Sequence, residues 1–342
     1  MYDIKPGPNN PRNSEGDTIL LSGERLMLAW TRFEGREDHA RADIRAMESA
    51  DWGETWGPLR VLVSAEEASE NVMSVSLLRE ARTGHILLFY LRKNGADDCQ
   101  VRVIRSCDEG QTWSASQRVS TEKGYHVMNN ARVIQLASGR LLAPVALAAD
   151  IRRVPLAQDF CYLSDDAGKS WRRGKGAVHL PGPYGGQEPG LVETSKGILM
   201  YLRTHLGCIY GAFSQDGGET WGEPSAFHAL PAPAAPATMT QLPDGSLLVI
   251  YNHRPDGAQA GWRDRTPLAA ARSTDAGQTW RRLADIEGDA DYCYAYTSLR
   301  LYGKRVVLTY YVWPRIVDLA FEQTTLRFRV LPLERFIGLP QS

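Results

Sequence analysis

Apolar residues gather in short runs along this chain, and a glycine-marked turn precedes run after run. Thr83-Gly84-His-Ile-Leu-Leu-Phe-Tyr90, Ser138-Gly139-Arg-Leu-Leu-Ala-Pro144, Lys196-Gly197-Ile-Leu-Met-Tyr-Leu202 and Asp244-Gly245-Ser-Leu-Leu-Val-Ile-Tyr251 share this form. Each reads as a hairpin leading into a buried strand. Gly303-Lys-Arg-Val-Val-Leu-Thr-Tyr-Tyr311 continues the series. The pattern predicts an all-β chain of many short strands. No run approaches the roughly 20 apolar residues that cross a bilayer as a helix.

Between these runs one octet occurs five times: Ser49-Ala-Asp51-Trp-Gly53-Glu-Thr55-Trp56, Ser106 to Trp113, Ser164 to Trp171, Ser214 to Trp221 and Ser273 to Trp280. The pattern is S-x-D-x-G-x-[TS]-W, the Asp box. Its physics is that of a turn. The Asp accepts hydrogen bonds from nearby backbone N–H groups, the Gly supplies a positive φ, and the Trp packs the turn down. Strand-like runs such as Cys99 to Arg105 and Leu268 to Arg272 lead into the boxes, so each box sits in a hairpin. Successive boxes lie about 50 to 59 residues apart, which divides the chain into about six units of roughly four strands. The reading is a six-bladed β-propeller, residues 1–342 as a single domain, its last blade lacking a box and closed by strands from both termini. The five box aspartates are scaffold: a device repeated in every blade marks structure, whereas an active site needs unlike groups converging.

A formal net charge of -1 offers no general attraction to nucleic acid or an anionic membrane, so recognition of an anion has to be local. The start, Met1-Tyr2-Asp3-Ile4-Lys5-Pro6, lacks the apolar stretch of a signal peptide. The sequence as it stands therefore predicts a cytoplasmic protein, or a secreted or periplasmic one if a leader has been removed. Cys99, Cys107, Cys161, Cys208 and Cys293 are odd in number and scattered, which predicts buried free thiols. Neither the histidines nor the glycines show metal-ligand or phosphate-cradling spacing, so no metal and no cofactor is expected.

Outside the boxes, Arg12, Asp38, Glu188, Arg203, Arg265 and Tyr296 stand at blade-sized intervals. Here the chain resembles the exo-sialidase (neuraminidase) family over nearly its whole length. The segment from Gln187-Glu188 to Leu202-Arg203 resembles the family's run from a glutamate along a strand to the second arginine. Arg265-Thr-Pro-Leu-Ala-Ala-Ala-Arg-Ser273 is similar to the strand bearing the third, and Ala295-Tyr296-Thr-Ser-Leu299 to the Ala-Tyr-Ser-Ser-Leu around the nucleophile. Asp38-His39-Ala40 resembles the family's Asp-His-Gly-Ala on a mobile loop. Arg12 has the position of the first arginine, but in Pro11-Arg12-Asn13-Ser14-Glu15-Gly16, where the family usually has Arg-Ile-Pro. The resemblance implies that Arg12, Arg203 and Arg265 bind the carboxylate of sialic acid, that Asp38 is the acid/base, and that Glu188 activates Tyr296 as nucleophile. The implied partner is an acidic sugar or sialoglycoconjugate.

These residue types suit that chemistry independently. Guanidinium groups pair with carboxylates in a planar, bidentate way and keep their charge. A carboxylate on the anomeric carbon repels an anionic nucleophile, whereas a neutral phenol can approach and pass its proton to a glutamate. Singly, each residue has a plainer reading. A strand arginine is usually a surface group. Tyr292 and Tyr294 rival Tyr296 as strand aromatics, and Asp38 stands beside Glu34, Arg36 and Glu37 in a charged loop. His253, Arg254 and Trp262 fit a pocket rim or a surface loop equally well. Two alternatives to a sialidase stay open. One is a propeller glycosidase or lyase for another uronic or ulosonic acid, which the surroundings of Arg12 favour; the other is a carbohydrate-binding propeller without turnover.

Overall fold

The computed structural model describes residues 1–153, 157–257, 263–316 and 323–337. Among these residues the regular structure is strand with a few 3-10 turns and no α-helix. The predicted all-β class holds. Among the described residues no helix is long and apolar enough to cross a membrane.

Four sheets are separate four-stranded antiparallel units. The first holds Arg12–Leu20, Leu26–Phe33, Ala42–Ser49 and Arg60–Val63. Another holds Gln187–Thr194, Gly197–Arg203, Cys208–Ser214 and Ser225–Pro231, and the next Thr238–Gln241, Leu247–Asn252, Leu268–Ser273 and Arg281–Glu287. The last joins Tyr292–Tyr302, Arg305–Pro314 and Thr325–Pro332 to Tyr2–Ile4, so strands from the two ends of the chain share it as expected. Residues 71–173 form a nine-stranded sheet made of two antiparallel sets, centred on Ile86–Gly95 and Leu141–Ala148. A short parallel contact of Gly124 and Tyr125 with Asp98 and Cys99 joins them.

The second strand of each unit is buried along most of its length, as in Leu247–Asn252, because it packs between neighbouring sheets on both faces. The first strands gather instead against one another: Arg12–Leu20 lies between Asn71–Arg79 and Tyr292–Tyr302, and Thr238–Gln241 between Tyr292–Tyr302 and Gln187–Thr194.

Every Asp box follows the third strand of its unit and repeats one bonding pattern. In the second box, Ser106 Oγ donates to Asp108 Oδ1 at 2.8 Å and accepts from Gly110 N at 2.8 Å, while Asp108 accepts from the Thr112 amide and hydroxyl. The residue after the Asp and the Gly both take positive φ, 59° at Glu109 and 78° at Gly110. The Trp reaches back to the preceding set of strands: Trp171 meets Phe89, in the other antiparallel set of the nine-stranded sheet, edge-on at 5.6 Å, and Trp56 meets Phe328 of the last sheet at 5.2 Å. Of the five thiols, four are buried as expected, but Cys107, inside a box turn, is exposed.

Candidate active site

The first strands do not run regularly. Their pairing slips between Ser14 and Asp17, Met73 and Ser76, Gln187 and Gly190, and Ala295 and Ser298. At each slip one residue is left in the left-handed region: Glu15 at φ 51°, Ser74 at 63°, Glu188 at 48° and Tyr296 at 59°. A bulge turns a side chain out of the alternation of its strand, and all four line one cavity of about 380 Å³. Gly190 serves the bulge that carries Glu188, since a Cβ there would lie 2.2 Å from the Tyr201 ring.

All six residues singled out by the sequence line this cavity: Arg12, Asp38, Glu188, Arg203, Arg265 and Tyr296. Tyr296 donates its hydroxyl hydrogen bond to Glu188 Oε1 at 2.9 Å and stacks on Tyr311, with ring centroids 4.7 Å apart. Arg203, at the end of its strand opposite Gln187, donates to the other Glu188 oxygen at 2.7 Å. Arg12 opens its strand, 3% exposed, its guanidinium 4.3 Å from the Phe33 ring centroid. It donates to Asp38 Oδ1 at 2.5 Å. Arg265 precedes the strand Leu268–Ser273, is 4% exposed, and donates to the Ala234 carbonyl at 3.1 Å. Its guanidinium lies 5.4 Å from the Tyr296 ring centroid, and among the described residues it has no carboxylate within salt-bridge distance.

The electrostatics sort these groups. Burial raises the Glu188 carboxyl, but the charge and hydrogen bond of Arg203 outweigh it and hold the group below the usual carboxylate range. Burial and the neighbouring Glu188 carboxylate push the Tyr296 phenol well above its ordinary value, so it is neutral and its proton points at Glu188. Burial lowers Arg265, and the neighbouring Tyr296 and Glu188 offset that loss of solvent only in part. At Asp38, crowding raises the carboxyl and Arg12 then brings it net below its ordinary value, with Lys93 and His39 adding to the pull. The Asp38 side chain remains 65% accessible, so the close Arg12 pair outweighs desolvation there.

The loop bearing Asp38 is held by its backbone. Lys93 Nζ and Asn71 Nδ2 each donate to the Asp38 carbonyl at 2.9 Å. Neither Lys93 nor Asn71 nor the Glu15–Ser74 pair was marked by sequence; the one signal was the unusual Asn-Ser-Glu after Arg12. The rival tyrosines fall away, for Tyr294 is buried in the core between the last two sheets and Tyr292 is 41% exposed. His253 bonds to the Tyr251 hydroxyl and Arg254 pairs with Asp256, neither on the cavity wall, and Trp262 lies outside the described residues. Among the described residues no cluster of His, Cys, Asp and Glu could hold a metal ion.

Residues 24–304 match the model of the BNR repeat-like domain. The chain is 27% identical over 229 residues to a sialidase of Paraclostridium sordellii, covering 59% of this chain and 55% of that one. It is 26% identical over 284 residues to human sialidase-4, covering 68% and 54%. The chain thus spans about half the length of these curated relatives. In structure it is similar to a leech intramolecular trans-sialidase, with TM-score 0.76, 15% identity, and 98% of this chain and 70% of that one covered. It is also similar to a protein of unknown function from Dyadobacter fermentans, with TM-score 0.69, 19% identity, and 96% and 98% covered.

Proposed function

The chain belongs to the BNR repeat-like family of sialidase-type proteins, and from that premise we propose that it is a retaining exo-glycosidase releasing terminal sialic acid, or a closely related acidic sugar, from glycoconjugates. One observation carries the reading. Three arginines from distant parts of the chain, Arg12 and Arg265 buried and Arg203 half-buried, line one cavity beside a phenol–carboxylate pair, and Arg265 makes no salt bridge among the described residues. A desolvated cation without a salt bridge is costly unless an anion is to meet it.

In this reading Arg12, Arg203 and Arg265 bind the sugar carboxylate. Glu188 takes the proton of Tyr296 as the phenol oxygen bonds to the anomeric carbon, and Asp38 gives a proton to the departing glycosidic oxygen. Asp38 then takes a proton from water, which attacks the same carbon; the Tyr296 bond breaks and Glu188 returns the proton. Two displacements leave the anomeric configuration unchanged. Tyrosine nucleophiles are a known exception to the two-carboxylate scheme of glycoside hydrolysis. The scaffold fits a single-domain, six-bladed propeller in which the two sets of the nine-stranded sheet count as separate blades, supported by the contact of Trp56 with Phe328 between first and last sheets.

Hydrolysis of an aryl sialoside by the wild type and by Tyr296→Phe tests this. The variant is expected to lose turnover while keeping affinity for the sugar acid; equal rates dispose of the nucleophile. A second reading, another uronic or ulosonic acid as substrate, is favoured by Glu15 on the cavity wall and is separated by a panel of acidic glycosides.

A further inference from the structure

Four bulged first-strand residues face the cavity, and the proposed chemistry uses only two, Glu188 and Tyr296. The other two touch each other: Ser74 Oγ donates to Glu15 Oε2 at 2.5 Å. Glu15 is 3% exposed and Ser74 2%. The strand of Tyr296 has the strand of Glu15 on one side, while Glu188 lies beyond Thr238–Gln241 on the other. Tyr311, stacked on Tyr296, has Glu15 and Arg12 as its electrostatic neighbours. The strands that bear the two carboxyl groups therefore lie on opposite sides of the strand of Tyr296.

We propose that the Glu15–Ser74 pair is a specificity-determining subsite, in which the Glu15 carboxyl hydrogen-bonds the bound sugar acid on the side of Tyr296 away from Glu188. The proposal rests on the sugar-acid reading of the cavity. A left-handed backbone at a non-glycine residue costs about 1–3 kcal/mol, and here two adjoining strands each hold one. Burying a carboxyl against a neutral hydroxyl adds a desolvation penalty, which the nearby Arg12 charge opposes without reversing. A brace between two sheets needs neither, because apolar side chains of similar volume brace as well or better. Both expenses make sense where the groups meet a ligand.

Chemistry then says how Glu15 meets it. Burial raises its carboxyl against the opposing pull of Arg12 and Ser74, whereas Arg203 lowers Glu188. The two carboxyls are driven apart, one toward accepting a proton from Tyr296 and the other toward keeping its own. Protonated, Glu15 is a hydrogen-bond donor toward an anionic sugar; ionised, it repels the same sugar. Affinity should therefore fall as pH rises through the Glu15 titration.

The test is calorimetric binding of N-acetylneuraminic acid and of glucuronic acid to the full chain, from acid to alkaline pH, for wild type, Glu15→Gln and Glu15→Ala. Glu15→Gln keeps the donor and the shape, and is expected to bind near the low-pH wild-type affinity while losing the alkaline weakening. Glu15→Ala is expected to bind about ten-fold more weakly at low pH, the loss of one hydrogen bond to a charged group. If Glu15→Ala does not fold, the pH profile of Glu15→Gln decides alone. Variants that bind as the wild type across the pH range reduce the pair to a brace and overturn the proposal, with the sugar-acid reading intact. A wild type that binds neither sugar acid overturns both.

Discussion

Arg12 donates a 2.5 Å hydrogen bond to Asp38, twenty-six residues further along the chain. The two groups have competing duties in the proposed reaction. A general acid must carry a proton, yet Arg12 holds the Asp38 carboxyl below its ordinary value. A sugar carboxylate arriving at Arg12 would take over that guanidinium and let the Asp38 carboxyl rise. The acid form is lost as pH rises through its pKa, so the alkaline limb of kcat/KM, which reports free enzyme, is expected at lower pH than that of kcat, which reports the complex. Coincident limbs in paired pH–rate profiles would refute this hand-over.

Arg265 makes no salt bridge among the described residues, and its side-chain hydrogen bond goes to a main-chain carbonyl. Arg265→Met should weaken binding of a sugar acid at least ten-fold, since bidentate guanidinium–carboxylate contacts are among the stronger hydrogen bonds. The same substitution should leave binding of a neutral sugar analogue unchanged. Parallel titrations with a sugar acid and its methyl ester check the difference.

Glu188 accepts from both Tyr296 and Arg203, so removing its charge touches base and anchor together. Glu188→Gln is expected to lower kcat by about 10²–10⁴, the usual reach of a positioned base. Because Glu188 is held below the usual carboxylate range by Arg203, wild-type activity should persist on acidification until that lowered pKa is crossed. Steady-state kinetics of the variant, with an acid-limb pH profile of the wild type, tests both statements.

The five box aspartates, Asp51, Asp108, Asp166, Asp216 and Asp275, all sit at about 2, lowered by the hydroxyl and amide groups they accept from. A carboxyl lowered in the folded state stabilises above its unfolded pKa and loses that contribution as pH falls through the folded value. Acid unfolding is therefore expected to steepen between about pH 4 and about pH 2. Replacing Asp166 with Asn should flatten the melting temperature against pH there, measured by circular dichroism. An unchanged slope would place the acid lability elsewhere.

The strand runs and the boxes were readable because both write a local rule into consecutive residues, and the structure puts a box after the third strand of five units. The six charged and phenolic candidates, which all line one cavity, stood out by the types and order that they share with the family they resemble. Glu15 and Ser74 were not. Their signal is a register slip and a backbone angle, which arise from how two strands pair and leave no composition behind. Lys93 was hidden for another reason. It sits in an apolar strand among Leu91 and other buried residues, and its partner is a main-chain carbonyl, which any residue can supply.

Tyr2–Ile4 pairs with the strand Thr325–Pro332, at the other end of the chain. This pairing spans nearly the whole length of the polypeptide, and such long-range contacts close slowly because the loop entropy is lost before they form. During synthesis Tyr2–Ile4 must wait for a strand that is made much later. Until then Arg12 and Tyr296 belong to unconnected pieces, so an incomplete chain can hold folded sheets and still have no pocket to occupy.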